Sequence, residues 1–248
     1  MRSILTLAAL LAATSVFASA NGFELRVLVN ESPRPEYWHN GTIYVEAIRG
    51  QNYALRLTNP TPYRVAVALS VDGLNTIDAR HTDARSAAKW VLAPYESAVI
   101  SGWQVDNQNA RDFFFTGERR SYGAHLGQTE NLGVIEAVFF REREPRRRDV
   151  APFRPAPQPE SEMNGAAPSA KAQKQDALSD DYAATGMGRR EQHEVESVDI
   201  DLESEPAASI RIRYEFTPQL VKMGILPSLS PLERREHASG FSTFCPER

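Results

Sequence analysis

Apolar and polar side chains alternate with period two along much of the chain, which is the period of a strand with one face buried. Phe23, Leu25, Val27 and Val29 share one face of a first run. Tyr53, Leu55 and Leu57 alternate with Ala54, Arg56 and Thr58. The longest alternation places Tyr63, Val65, Val67, Leu69 and Val71 on one face, with Arg64, Ala66, Ala68 and Ser70 between them. Further strand-like runs cover 44–48, 89–92, 97–103, 112–116 and 134–141. The breaks carry turn chemistry: Asn40-Gly41, Asn59-Pro60-Thr61-Pro62 and Asp72-Gly73. Strands repeating every ten residues or so predict an antiparallel β-sandwich.

A second alternating region lies near the C-terminus. Val198, Ile200 and Leu202 alternate with acids, 203–206 reads as a turn, and Ala208, Ile210, Ile212, Tyr214 and Phe216 alternate with polar residues. This pattern predicts a hairpin with one apolar face, and a lone hairpin is marginal in water. The hairpin is therefore expected to complete the sandwich begun by 21–141. Arg211 and Arg213 are expected on its outer face, opposite the acids near 199–203. Pro218 opens a short helix over 219–223 that Gly224 ends.

Between the two regions, 142–185 holds six prolines and few large apolar side chains. Such a segment buries too little apolar area to offset its ordering entropy, so it is expected to be a disordered Pro/Ala-rich linker. The expected organisation is thus a leader (1–20), the N-terminal part of the sandwich (21–141), the linker (142–185), a hairpin and short helix completing the sandwich (186–227), and a flexible tail (228–248).

The leader is Arg2 followed by an apolar run from Ile4 to Ala13 and then Ala18-Ser19-Ala20. That is the pattern of a cleavable secretory signal peptide, with cleavage expected after Ala20. The run is too short to span a bilayer, and no later stretch approaches the necessary length. The mature chain is expected to be periplasmic or secreted, with no transmembrane segment. The whole sequence carries a formal charge of −4, which argues against a nucleic-acid partner. Its one cysteine, Cys245, excludes an internal disulfide framework and a four-thiolate zinc site.

The richest polar stretch holds Asp72, Asn75, Asp78, His81 and Asp83 within twelve residues. Its spacing does not match a helix–loop–helix calcium site, and Asp72-Gly73 with Asn75 is explained by a turn. The stretch is kept as a candidate polar ligand site. A hydrolytic alternative places His81 as a base between Asp78 and Asp83. No nucleophile elbow, phosphate loop, dinucleotide fingerprint or His-Glu-x-x-His motif is present, and no cofactor or metal is called for. Tyr37 and Trp38, following two prolines, form a second candidate: exposed aromatics that stack on sugars.

Tyr44-Val45-Glu46-Ala47, Tyr53-Ala54-Leu55-Arg56-Leu57-Thr58-Asn59, Ser70-Val71-Asp72-Gly73-Leu74-Asn75, Trp90-Val91-Leu92, Ile100-Ser101-Gly102-Trp103 and Ala184-Thr185-Gly186-Met187-Gly188 resemble a family of uncharacterised bacterial exported proteins. The resemblance covers about half the chain. It implies an exported β-rich protein and brings no assigned activity, cofactor or catalytic residue. The expected function is that of a non-catalytic binding or assembly module, with an envelope or extracellular protein or a glycan as partner. The alternatives are a carbohydrate-binding module using exposed aromatics and a hydrolase with a site around 72–85.

Overall fold

A computed structural model describes residues 18–143 and 178–228. The body of the leader, most of the expected linker, and the tail from 229 with Cys245 lie outside the described residues. In chain order the strands are β1 (Ser19–Ala20), β2 (Phe23–Val29), β3 (Ser32–Pro33), β4 (Glu36–His39), β5 (Thr42–Ala47), β6 (Asn52–Thr58), β7 (Val65–Val71) and β8 (Leu74–Asn75). They continue with β9 (Trp90–Leu92), β10 (Ser97–Ile100), β11 (Gly102–Asp106), β12 (Asn109–Gly117), β13 (Val134–Arg141), β14 (Ala183–Gln192) and β15 (Ala208–Phe216). Two short helices, α1 (Tyr122–His125) and α2 (Thr217–Lys222), accompany them.

The strands form two sheets, as the alternation requires. The first runs β1-β2-β6-β12-β11, with β3 on β2, β10 on β6 and β14 on β12. The second runs β4-β5-β15-β13-β7-β8, with β9 on β7. Inward side chains from both meet in one core. Phe23, Leu55 and Phe113 of the first sheet, and Leu69, Phe139 and Ile212 of the second, are all fully buried. Phe23 stacks on Phe139 with ring centres 4.7 Å apart. Burying such side chains contributes about 1.5–3 kcal/mol each, before the compactness of the unfolded chain is allowed for. At the proline break, the buried Asn59 donates to the carbonyls of Tyr63 (2.7 Å) and Ala93 (2.8 Å), and its Oδ1 accepts from Thr61 N (3.0 Å). The turn is thereby closed from inside.

The C-terminal region completes the sandwich, but not as a hairpin paired with itself. Residues 198–202 form no strand; Leu202 alone makes a bridge, to Glu142. β14 instead joins the first sheet, antiparallel to β12. β15 joins the second sheet, antiparallel to β13 and parallel to β5. The segment between β14 and β15 therefore crosses from one sheet to the other. Alternation specifies that 208–216 has one buried face; it does not specify which strand lies beside it. The same pairing corrects the expected partners of the outer arginines: Arg211 bonds Glu136 of β13 at 3.0 Å.

β14 begins at Ala183, inside the stretch expected to be linker. Its sequence Ala-Ala-Thr-Gly-Met-Gly lacks an apolar alternation, because its role is to lie close beneath aromatic neighbours. A Cβ on Gly186 would fall 2.3 Å from Phe114 Cζ. The expected run 97–103 is also divided. Its first half pairs with β6 and its second with β12, and the strand breaks at Ser101. Gly102 permits the second pairing, since a Cβ there would lie 2.1 Å from the Arg111 carbonyl oxygen.

This contact can be tested against a turn glycine in open space. Gly41 has φ +77° with nothing within 4 Å of a built Cβ, so Gly41→Ala is expected to cost about 1–2 kcal/mol of left-handed strain. Gly102→Ala must displace backbone and is expected to cost about 1–3 kcal/mol as an overpacking change, with the larger shift in urea midpoint of the two. A Gly102→Ala midpoint at or above that of Gly41→Ala would contradict the close approach.

Candidate functional site

The polar stretch begins with Asp72, in the turn that joins β7 to β8. Its φ of +53° is left-handed, a conformation that Asp tolerates better than most residues. Gly73 follows at φ +75°, and a Cβ there would meet Asn131 Cβ at 2.8 Å, so only glycine lets Asn131 close over the turn. The Asp72 side chain turns inward and is 2% exposed. Its Oδ1 accepts from Gly133 N (2.8 Å) and from the Tyr214 hydroxyl, and its Oδ2 accepts from Thr185 N (2.7 Å). Tyr214 Oη lies 2.6 Å from Thr185 Oγ1, which lies 2.7 Å from Tyr53 Oη. With Asp72 ionised, the proton positions follow: Tyr214 donates to Asp72, Thr185 to Tyr214, and Tyr53 to Thr185.

Desolvation raises the Asp72 carboxyl from 3.8 to about 7, against the opposing hydrogen bonds from Tyr214, Thr185 and Gly133. Burial, and next the Asp72 charge, hold the Tyr53 and Tyr214 hydroxyls well above 10, so both remain donors. A second carboxylate acts beside the first. Glu215 Oε2 accepts from Ala183 N at 3.2 Å, and burial raises its pKa. Among the described residues β14 pairs with β12 alone, leaving amides on its other edge. Carboxylates of the second sheet thus satisfy two edge amides at the start of β14.

Beyond Gly73 the chain folds over the outer face of the second sheet. Asn75 anchors the loop: its Oδ1 accepts from Ile77 N (2.8 Å) and its Nδ2 donates to Ala88 O (2.8 Å). Asp83 Oδ1 accepts from Arg85 N (2.9 Å) and Ser86 N (3.0 Å), and the Ser86 bonds hold its carboxyl below the usual range. Ala87 packs with Ala68 and Phe140 in a small outer cluster that also includes Ala84, Val138 and Leu202. Between this loop and the sheet lies a cleft of about 520 Å³. Ser70, Glu136, Arg211 and Arg213 line it from the sheet; Asn75 and His81 from the loop; Glu130 and Asn131 from the segment before β13.

The strand register orders the outer face, on which Arg213 and Val134 line the cleft while Tyr37 and Tyr44 lie beside it, outside its lining. Tyr37, Tyr44, Arg213 and Val134 form one cross-strand row. Arg211, Glu136, Ser70 and Asn75 form the next. Glu136 Oε1 accepts from Arg211 at 3.0 Å. The Arg213 side chain makes no hydrogen bond or ion pair among the described residues; its charge acts on Glu215 two positions along the strand.

The seven candidate residues therefore separate. Asn75 and His81 reach the cleft, with His81 Nδ1 2.9 Å from Gly73 O. Asp72 is spent inside the sandwich. Asp78 and Asp83 bond backbone amides of their own loop and do not line the cleft, so the Asp–His–Asp grouping of the hydrolytic alternative is not assembled. Trp38 is 60% exposed, but it pairs in register with the inward Ile43, whereas Tyr37 pairs with the outward Tyr44. The two aromatics lie on opposite faces of β4 and do not form one shelf. Arg213 and Glu136 were missed as site residues: their polar alternation marks an outer face, and only the pairing of β13 with β15 makes it a cleft. Among the described residues no cluster of three His, Cys, Asp or Glu side chains is placed to hold a metal. No helix among them is long and apolar enough to cross a membrane. No protein-family model, no curated protein and no solved structure matches the chain.

The buried carboxylate gives a pH signature. The folded protein binds the Asp72 proton near pH 7 and the unfolded chain near 3.8. Between these values the native state holds more protons, so this group's contribution is fully present below 3.8 and is lost as pH rises to 7, with a slope approaching about 1.4 kcal/mol per pH unit. Asp72→Asn keeps a residue suited to positive φ but presents only one acceptor oxygen, and is expected to lower stability at pH 5 by about 1–3 kcal/mol. The deficit should shrink toward pH 8. Urea unfolding at both pH values measures it; a deficit that is constant or grows with pH contradicts a buried ionising Asp72.

Proposed function

We propose that this protein is an exported, non-catalytic binding module that captures its ligand in the cleft on the outer face of the second sheet. The observation that carries this reading is the cleft itself. Its volume lies in the range of small-ligand sites, and four separate segments contribute to it. It contains the Arg213 guanidinium, which makes no side-chain hydrogen bond or ion pair among the described residues and whose charge acts on Glu215 along the strand.

The remaining chemistry favours binding over catalysis. Of the acid and base groups at the cleft, Glu136 is engaged by Arg211, His81 contacts a backbone carbonyl rather than a carboxylate or a nucleophile, and Glu130 has no nucleophile or histidine hydrogen-bonded to it among the described residues. The most perturbed acid near the site, Asp72, is sealed in the core, where no substrate atom can reach it. The alanine-rich outer cluster packs the loop onto Ala68, Val138 and Phe140 of the second sheet, so the cleft is largely formed before a ligand arrives.

Export rests on the leader. Cleavage after Ala20 acts on the unfolded chain and removes β1, together with the buried Ala18, whose amide bonds Glu36. It removes none of the residues that line the cleft. Protein recovered from the cell envelope or medium is expected to begin at Asn21 by N-terminal sequencing. A cytoplasmic product that retains Met1 would refute export.

The binding site is tested by titrating isotope-labelled protein with neutral oligosaccharides, acidic oligosaccharides and short mixed-sequence peptides. At least one class is expected to shift the amides of Ser70, His81 and Arg211 together. Shifts confined to the Trp38 side of β4, or to the outer face of the first sheet, would place the function elsewhere.

A further inference from the structure

The chemistry of the cleft selects among ligand classes. We infer that it takes a sparsely acidic oligosaccharide, a hydroxyl-rich sugar chain carrying isolated carboxylates; the inference rests on the cleft being the binding site.

Arg213 and Arg211 stand on alternate positions of β15, both exposed on the outer face. Arg213 offers a planar fork of donors that fits a carboxylate in two parallel bonds. Its row neighbour Tyr44 is half-buried on the same face and is itself paired with Tyr37. Sugar rings present apolar C–H faces that pack on such aromatic surfaces while their edges hydrogen-bond. Thr42 borders the cleft beside that row, and His39, opposite Thr42 in register, sits edge-on to Tyr44 with ring centres 6.3 Å apart. A cation in the cleft thus stands in the same cross-strand row as a tyrosine pair, with a threonine hydroxyl and an imidazole beside that row.

The acids in the cleft sharpen the choice. Glu130 and Glu136 accept hydrogen bonds and cannot donate them when ionised, so they suit ligand hydroxyls. They repel a densely charged chain such as polyphosphate or an acidic peptide. Ser70, Asn75 and Asn131 add neutral donors and acceptors around them. Alternating guanidinium, carboxylate and neutral polar groups match a ligand that is mostly hydroxyl and only intermittently anionic.

The experiment is calorimetric titration of the mature protein with a galactose tetramer in which one residue is replaced by galacturonate, the all-galactose neutral tetramer, and a glutamate tetrapeptide. Each is run against wild type, Arg213→Gln and Tyr44→Ala, at low and at physiological salt. Arg213 is exposed, and Arg213→Gln is expected to leave the unfolding midpoint unchanged. The account expects the acidic sugar to bind at least tenfold more tightly than the neutral one. It expects Arg213→Gln to remove about tenfold of that affinity and most of the preference, and Tyr44→Ala to weaken both sugars. Equal binding of the two sugars would overturn the acidic assignment while leaving the cleft as the site. Binding of the peptide alone, lost in Arg213→Gln, would overturn the sugar in favour of an acidic protein segment. Binding of any probe that neither variant changes, or no binding at all, would remove the cleft reading itself.

Discussion

One buried carboxylate joins the two sheets. An ionised Asp taken out of water carries a desolvation penalty of several kcal/mol, and it is tolerated only where donors replace the lost water. Asp72 has three: the amide of Gly133, the amide of Thr185 and the hydroxyl of Tyr214. They come from three separate places in the chain, one of them on the opposite sheet. Satisfying the charge therefore requires the turn after β7, the segment before β13, strand β14 and strand β15 to be in register at once. Thr185 and Tyr53 extend the network to β6, deep in the aromatic core, where Tyr53 stacks on Phe115 with ring centres 4.2 Å apart. A hydrophobic sandwich permits many relative positions of its sheets; a fully bonded polar network permits few.

The same residue positions the surface chemistry. Asp72 fixes the turn from which Gly73 and Asn75 launch the loop over the outer face, and His81 returns to the Gly73 carbonyl. The inner side of this short segment belongs to the core network and its outer side to the cleft. Substitutions at Asp72 are thus expected to move the cleft wall as well as stability, whereas Arg213 stands exposed on β15, outside the core network.

Much of the fold is legible in the order of residues. The alternation around β7 predicts a strand whose Val65, Val67, Leu69 and Val71 are buried, because period-two burial is a local property, although Tyr63 at the start of that run lies outside the strand and is exposed and Ala66 and Ala68 are buried on the other face. The run that becomes β13 is likewise legible as a strand. The Asp-Gly turn after β7 is equally local. Pairing is not. Residues 198–202 and 208–216 read as partners because they are adjacent and complementary in pattern, yet β15 lies between β5 and β13, whose residues are distant in sequence. β14 is harder still to read: Ala, Thr and Gly carry no alternation, and their purpose appears only when Phe113, Phe114 and Phe115 are placed against them. At the site, the sequence locates the loop that walls the cleft and two residues that reach it, Asn75 and His81. It cannot separate Asp72, which turns inward, from Asp78 and Asp83, which bond their own loop, since all three are acids at similar spacing. The sheet side of the cleft depends on the register of β13 with β15 and was therefore hidden.

The protein is a sandwich, latched by buried hydrogen bonds, that presents a polar concavity on one outer face. The central physical claim is that Asp72 and Tyr214 act as a unit across the core, and a double-mutant cycle on folding stability measures that directly. With Asp72→Asn, Tyr214→Phe and the double variant unfolded in urea at pH 7, the account predicts a coupling of about 1–3 kcal/mol between the two sites. Strictly additive effects, with the double variant losing the sum of the two single losses, would contradict it.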